Sequence, residues 1–228
     1  MITGPPGCGK TTIALQFALA AAERGERTTI YEFDERYSTL LMRTAKLGLD
    51  LRPHIAAGLI SLRTIDPAEL SPGEFAYLVR NDVEDHGAKF FILDSLSGYI
   101  KAMPGEKQLL LQMHELLSYL NRCGVVTFLI NPLAGLVGPM ESEIATSYIA
   151  DAVLLLRFFE ADGRIRKAIS CLKNRGGAHE DAIRELRIGN DGIRIGDPLM
   201  RFRGVLTGTP SYTGSEQPIL SQAGRGVP

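Results

Sequence analysis

Gly4-Pro5-Pro6-Gly7-Cys8-Gly9-Lys10-Thr11-Thr12 matches the pattern G-x-x-x-x-G-K-[ST]. Chemistry explains the spacing. Glycines let the backbone curl until successive N–H groups converge on phosphate oxygens. A helix starting near Gly9-Lys10 points its unpaired N–H groups and positive dipole end at the same place. Lys10 then brings an ammonium to the β- and γ-phosphates, and the Thr11 hydroxyl offers a ligand to Mg²⁺. All nine residues are therefore candidate contacts for ATP, a P-loop. Such a loop normally joins a buried strand to its helix, yet only Met1-Ile2-Thr3 come before it. The first strand is expected to be a stub, or the chain to be the second half of a longer two-domain protein or a product started too late.

Working outward, residues 10–24 carry Ile13, Ala14, Phe17, Ala18 and Ala21 at helical spacing and stop at Gly25. A β-rich run over 28–33 ends in Asp34-Glu35. Helical spacing returns over 36–47 and 73–87, with a short alternating strand at 59–65 between them. Lys89 to Asp94 is nearly continuous apolar sequence closed by a carboxylate, as in a strand covered on both faces of a parallel sheet. A helix over 106–122 and a buried strand over 125–130, stopped by Asn131-Pro132, follow. A short helix is expected over 143–149. Strands near 152–159, 165–172, 183–188 and 192–195 then turn at Asp162-Gly163 and Asp191-Gly192. Alternating β and α followed by hairpins predicts an α/β fold: a mostly parallel sheet flanked by helices, with an antiparallel extension. One domain over 1–208 and a loose tail over 209–228 account for the chain.

Composition narrows the setting. A net charge of −1 exerts no general pull toward nucleic acid or anionic membrane. No apolar run reaches membrane-spanning length and no signal-peptide pattern opens the sequence, so a cytoplasmic protein is expected. Cys8, Cys123 and Cys171 are odd in number and scattered, which argues against disulfides or a zinc site. Cys8 is either an oxidisable thiol near a helix N-terminus or a small residue that the loop tolerates.

Acidic residues fall where a P-loop needs partners. Asp94 ends a buried strand and is a candidate Mg²⁺ ligand opposite Thr11, its alternative role being a cap for the next helix. Asp34 and Glu35 also end a strand, on the edge where open parallel sheets bind ligands. One of them is the candidate general base that orients water toward the γ-phosphate. Asn131 is either a γ-phosphate contact or plain Asn-Pro turn chemistry.

Together these features resemble the KaiC-like ATPases of the RecA superfamily, over nearly everything up to Pro210. The residues carrying the likeness are the P-loop, Phe33-Asp34-Glu35, Asp94-Ser95, Lys173-Asn174-Arg175-Gly176-Gly177-Ala178-His179, and Arg201 to Gly208. The resemblance implies a RecA-like fold with ATP between the subunits of a homo-oligomeric ring, usually a hexamer. It implies Lys173 and Arg175 as cations inserted into the neighbour's site, and His179 as a nucleotide contact or a structural histidine. A KaiB-like or signalling protein is the implied partner. Two departures matter. The family's Glu-Glu is Asp34-Glu35 here, with the first carboxylate one methylene shorter. The adjacent Ser and Thr phosphorylated in clock members fall on Ser147 and Tyr148, so only Ser147 is a candidate phosphosite and kinase activity is in question.

Hydrolysis of ATP in a ring, with weak serine autophosphorylation, is thus the leading expectation. A DNA-dependent motor or recombinase on the same fold would line its inner loop with basic and aromatic residues. Residues 132–147 contain no Lys or Arg and carry Glu141 and Glu143, which argues against nucleic acid. A nucleotide sensor that binds ATP without hydrolysing it is the other alternative.

Overall fold

The computed structural model describes residues 1–66, 70–102, 109–135, 147–207 and 210–212. Most of the loop over 132–147, the start of the helix expected from 106, and 213–228 of the expected tail lie outside the described residues.

Among the described residues, nine strands form one sheet in the order β3-β2-β4-β5-β1-β6-β7-β8-β9. In chain order they are β1 (Ile2–Gly4), β2 (Arg27–Glu32), β3 (Ile60–Thr64), β4 (Ala88–Asp94), β5 (Val126–Pro132), β6 (Ala152–Ala161), β7 (Arg164–Asn174), β8 (Arg184–Gly189) and β9 (Gly192–Pro198). The six from β3 to β6 run parallel, and β7 to β9 add antiparallel strands. The three-residue β1 sits in the middle of the sheet. Ile2 pairs with Ile130 on one side and Leu154 on the other. Below it, β5 and β6 run on without β1 between them, leaving a cleft of about 350 Å³ lined by Leu117, Val126, Phe128 and Ile149.

Alternation along the strands builds a core on each face of the parallel sheet, and a smaller cluster around Phe159, Ala168 and Val205 lies on the antiparallel extension. Ile30, Ile92, Ile130 and Leu156 meet Ile13, Leu15 and Leu19 of α1 (Lys10–Glu23) on one face. Tyr31, Phe91, Leu93 and Leu129 turn to the other face, against Phe75 and Val79 of α4 (Pro72–Glu84) and Met113, Leu116 and Leu120 of α6 (Leu109–Arg122). The remaining helices are short: α2 (Tyr37–Lys46), and α3 (Arg52–Ala56) and α5 (Leu96–Ala102), neither of which periodicity predicts. Ser71 and Glu74 close a reciprocal capping box that starts α4. The first hairpin turns at Asp162 and Gly163, both with positive φ, as the Asp-Gly pair predicts.

Two expectations need correcting. β5 does not stop before Asn131-Pro132 but includes both residues, which pair with Thr3 and Gly4, and ends at Pro132. The stretch read as a tail contains β11 (Ser211–Tyr212), which pairs with β10 (Phe202–Arg203) and lays the Tyr212 ring 5.5 Å from Phe202. An aromatic contact supplies there what composition does not reveal.

Asp82 of α4 is 3% exposed and braces the outer strands. It accepts hydrogen bonds from Thr29 Oγ1 (2.6 Å), Tyr31 OH (2.8 Å) and Arg63 (2.6 Å). Removing it strands a buried hydroxyl, a phenol and a guanidinium. Asp82→Ala should cost about 3 kcal/mol in urea denaturation, and Asp82→Asn less. A loss below about 1 kcal/mol for Asp82→Ala would remove this brace from the account of stability.

Candidate functional site

Four parallel strands end on the same edge, and each ends in a residue of the site. β1 runs into the P-loop, β2 into Asp34 and Glu35, β4 into Asp94, and β5 into Asn131. This is the edge on which open α/β sheets take ligands.

Glycine is required at two points of the loop. Gly4 has φ 149° and a Cβ there would overlap the Leu156 carbonyl oxygen. Gly9 has φ 108° and a Cβ would overlap Cδ1 of Ile188 in β8. Lys10 is buried and donates to the carbonyls of Gly4 (3.0 Å) and Pro5 (2.8 Å), holding its ammonium in the mouth of the loop. Burial pulls its pKa below the usual lysine range. Pro6 and Gly7 are exposed and Thr12 is buried. Cys8 is wholly buried and burial pushes its thiol up, which favours a small residue that fits the loop over an oxidisable thiolate.

The acidic residues are organised by hydrogen bonds. Thr11 Oγ1 donates to Asp94 Oδ2 at 2.5 Å, linking the start of α1 to the end of β4. Asp94 does not cap the next helix; Ser95 does, its Oγ accepting from the Gly98 N–H at 3.0 Å. The same Ser95 hydroxyl donates to Asp34 Oδ2 at 2.5 Å. Glu35 is occupied differently, accepting from Arg43 of α2 at 3.2 and 2.8 Å. Asn131 is buried and its carbonyl accepts from Thr3 Oγ1 at 3.0 Å, so it belongs to the strand and not to a turn.

Sequence reasoning misses Glu32. It is 2% exposed. Its Oε1 accepts the backbone N–H groups of Asp34 and Glu35, both at 2.9 Å, while Oε2 is buried without a partner. Oxygens of Glu32, Asp34 and Asp94 lie within 4.8 Å of one another. The signal was present: Thr28, Ile30 and Glu32 share one strand face, so the glutamate falls in a buried series. Burial, then the Asp94 charge, pushes Glu32 up to about 8. Burial pushes Asp94 up to about 6, opposed by the Thr11 hydrogen bond. An all-oxygen set of hydroxyl and carboxylates suits a hard divalent ion such as Mg²⁺.

The remaining residues lie elsewhere. Asn174 pairs with Ala152 and Lys173 with Val153, at the edge where the parallel strands begin, opposite the P-loop. Lys173 Nζ donates to the Ala150 carbonyl at 2.7 Å. Arg175 donates to the Tyr148 carbonyl at 2.9 Å and lies 3.6 Å from Asp151. Ser147 begins a single 3₁₀ turn, Ser147–Ile149, and His179 is exposed beyond β7. Within one chain Lys173 and Arg175 thus lie away from the P-loop, at the opposite edge of the sheet.

A family model described as "ATPase: KaiC" matches residues 1–200. The circadian clock protein KaiC3 of Synechocystis sp. is 25% identical over 219 residues, covering 95% of this chain and 43% of that protein. The circadian clock oscillator protein KaiC of Thermosynechococcus vestitus is 25% identical and that of Synechococcus elongatus 26%, each over 100% of this chain and 44% of the relative. The chain spans less than half the length of these relatives.

The buried acids set a pH dependence. A carboxyl whose pKa is higher folded than unfolded binds its proton more tightly in the native state. For Glu32 that contribution is fully present below its ordinary value of 4.5 and is lost as pH rises through about 8. The nucleotide-free protein should therefore lose melting temperature between about pH 5 and pH 8. Glu32→Gln, which mimics the neutral acid, should lose less and melt higher than wild type at the alkaline end. Parallel pH profiles for the two proteins would show that Glu32 carries no such strain.

Proposed function

Because this chain belongs to the KaiC ATPase family, we propose that it binds MgATP in the P-loop and hydrolyses it in a ring, each site completed by the neighbouring subunit. The observation that carries this reading is the separation of parts: the phosphate cradle and the Lys173–Arg175 cations occupy opposite edges of one sheet. Cations on the far edge cannot serve their own loop, but a head-to-tail arrangement of copies would bring one edge to the other.

Thr11 and Asp94 would hold Mg²⁺, which when bound neutralises phosphate charge. Lys10 leaves the Gly4 and Pro5 carbonyls for the phosphates, and the loop N–H groups orient them. Asp34 is the better candidate for the base that orients water. It lies with Asp94, whereas Glu35 is tied to Arg43. Arg175 of the neighbour, with Lys173, stabilises charge on the transferred phosphoryl, an effect worth about 10³–10⁵ in rate where an arginine finger has been measured. His179 follows on the same edge as a nucleotide contact. The ring is a homo-oligomer, a hexamer by family resemblance, in the cytoplasm, and a KaiB-like or signalling protein would be its partner.

Weak autophosphorylation of Ser147 is a second reading. Arg175 bonds the carbonyl of Tyr148, the residue next to Ser147, so this turn moves with the cation that would enter the neighbour's site.

ADP release should be absent in Lys10→Ala. Arg175→Ala should lose about 10³ or more in turnover while keeping ATP affinity, since its contribution arises in the transition state. Mixing the two inactive variants should restore turnover through hybrid interfaces. Failure to do so at any ratio would rule out shared sites, and equal ADP release by wild type and Lys10→Ala would end the ATPase reading.

Labelled ATP should place phosphate on Ser147, with the label lost in Ser147→Ala. Label unchanged in that variant would dismiss the residue as the acceptor.

A further inference from the structure

The proposed ATP chemistry leaves Glu32 without a task. Its side chain is nonetheless buried and held in place. Oε1 is held by two backbone N–H groups, while the buried Oε2 has no hydrogen-bond partner. Asp34 and Asp94 are built the same way. Each is anchored through Oδ2, by Ser95 and by Thr11 respectively, so its second oxygen is available. The three carboxylates have thus already lost their rotamer freedom, and they face one another within 4.8 Å. Like charges at that separation repel unless a proton or a cation lies between them. Asp34 is exposed and gives solvent access to the other two, which are buried.

We infer that Glu32, Asp34 and Asp94 form a divalent cation site that takes Mg²⁺ or Mn²⁺ before any nucleotide arrives, with Glu32 as the residue that completes it. The inference rests on reading Asp94 as the metal-side carboxylate of the nucleotide site, and adds an ion that does not depend on phosphate ligands. Its oxygen-only donors select hard ions. The unpartnered Glu32 oxygen, and not the acidity of the cluster, is the sign of a missing ligand.

The experiment titrates the nucleotide-free protein with Mn²⁺ and reads the free ion by electron paramagnetic resonance. A single tightly held Mn²⁺ per chain is expected. Glu32→Gln keeps an acceptor for the Asp34 and Glu35 N–H groups but should weaken Mn²⁺ by about ten- to a hundredfold. Lys10→Ala, which removes the phosphate-binding ammonium, should retain the ion at least as well as wild type. The inference is overturned if wild type takes up Mn²⁺ only together with ATP, or if a natively folded Glu32→Gln holds it with unchanged affinity. Uptake of Mn²⁺ by a chain that then fails to bind ATP would support the cation site while sinking the nucleotide reading, so the two fail separately.

Discussion

The ligand edge depends on the two-sided pairing of a three-residue strand. Ile2 and Thr3 are matched to Ile130 and Asn131 on one side and to Leu154 and Leu155 on the other. That pairing fixes the height at which the chain leaves the sheet, and hence the level of the loop above Asp94. A strand buried on both sides has no solvent to satisfy its backbone, so its register admits little error. The Thr11–Asp94 hydrogen bond then spans from α1 to β4, passing over β5. Sheet pairing below and one short polar contact above hold the same geometry from two directions.

Around that frame the protein keeps charges out of water that would be better hydrated elsewhere. Lys10 is buried on carbonyl oxygens and Glu32 and Asp94 are buried close together. Each of these arrangements opposes stability in the free protein and favours a ligand that brings opposite charge. The second carboxylate after β2 takes no part in this, since Arg43 already neutralises Glu35. Adjacent residues Asp34 and Glu35 therefore play unlike roles, one open to the pocket and one closed on α2.

Much of this is legible in the residues themselves. The P-loop pattern, the apolar run ending at Asp94 and the Asp-Gly hairpin each depend on local chemistry, and local chemistry can be read in order along a chain. What escapes depends on contacts between distant segments. Asn131-Pro132 reads as a turn until β1 pairs with it. Ser211–Tyr212 reads as tail until Phe202 offers a ring. Glu32 reads as a strand residue until Asp94 and Asp34 are seen beside it, because only the sheet order puts them there. The choice between Asp34 and Glu35 likewise waits on Arg43, in the helix that follows them.

The last hairpin limits which residues two distant turns can carry. Ile188 occupies the space above Gly9, and the backbone at Asn190 would meet a methyl placed on Gly48. The end of the antiparallel extension thus leans on both the phosphate loop and the turn after α2. A side chain at Gly9 or at Gly48 would have to push that end of the extension aside, so segments far apart in the sequence share one packing constraint.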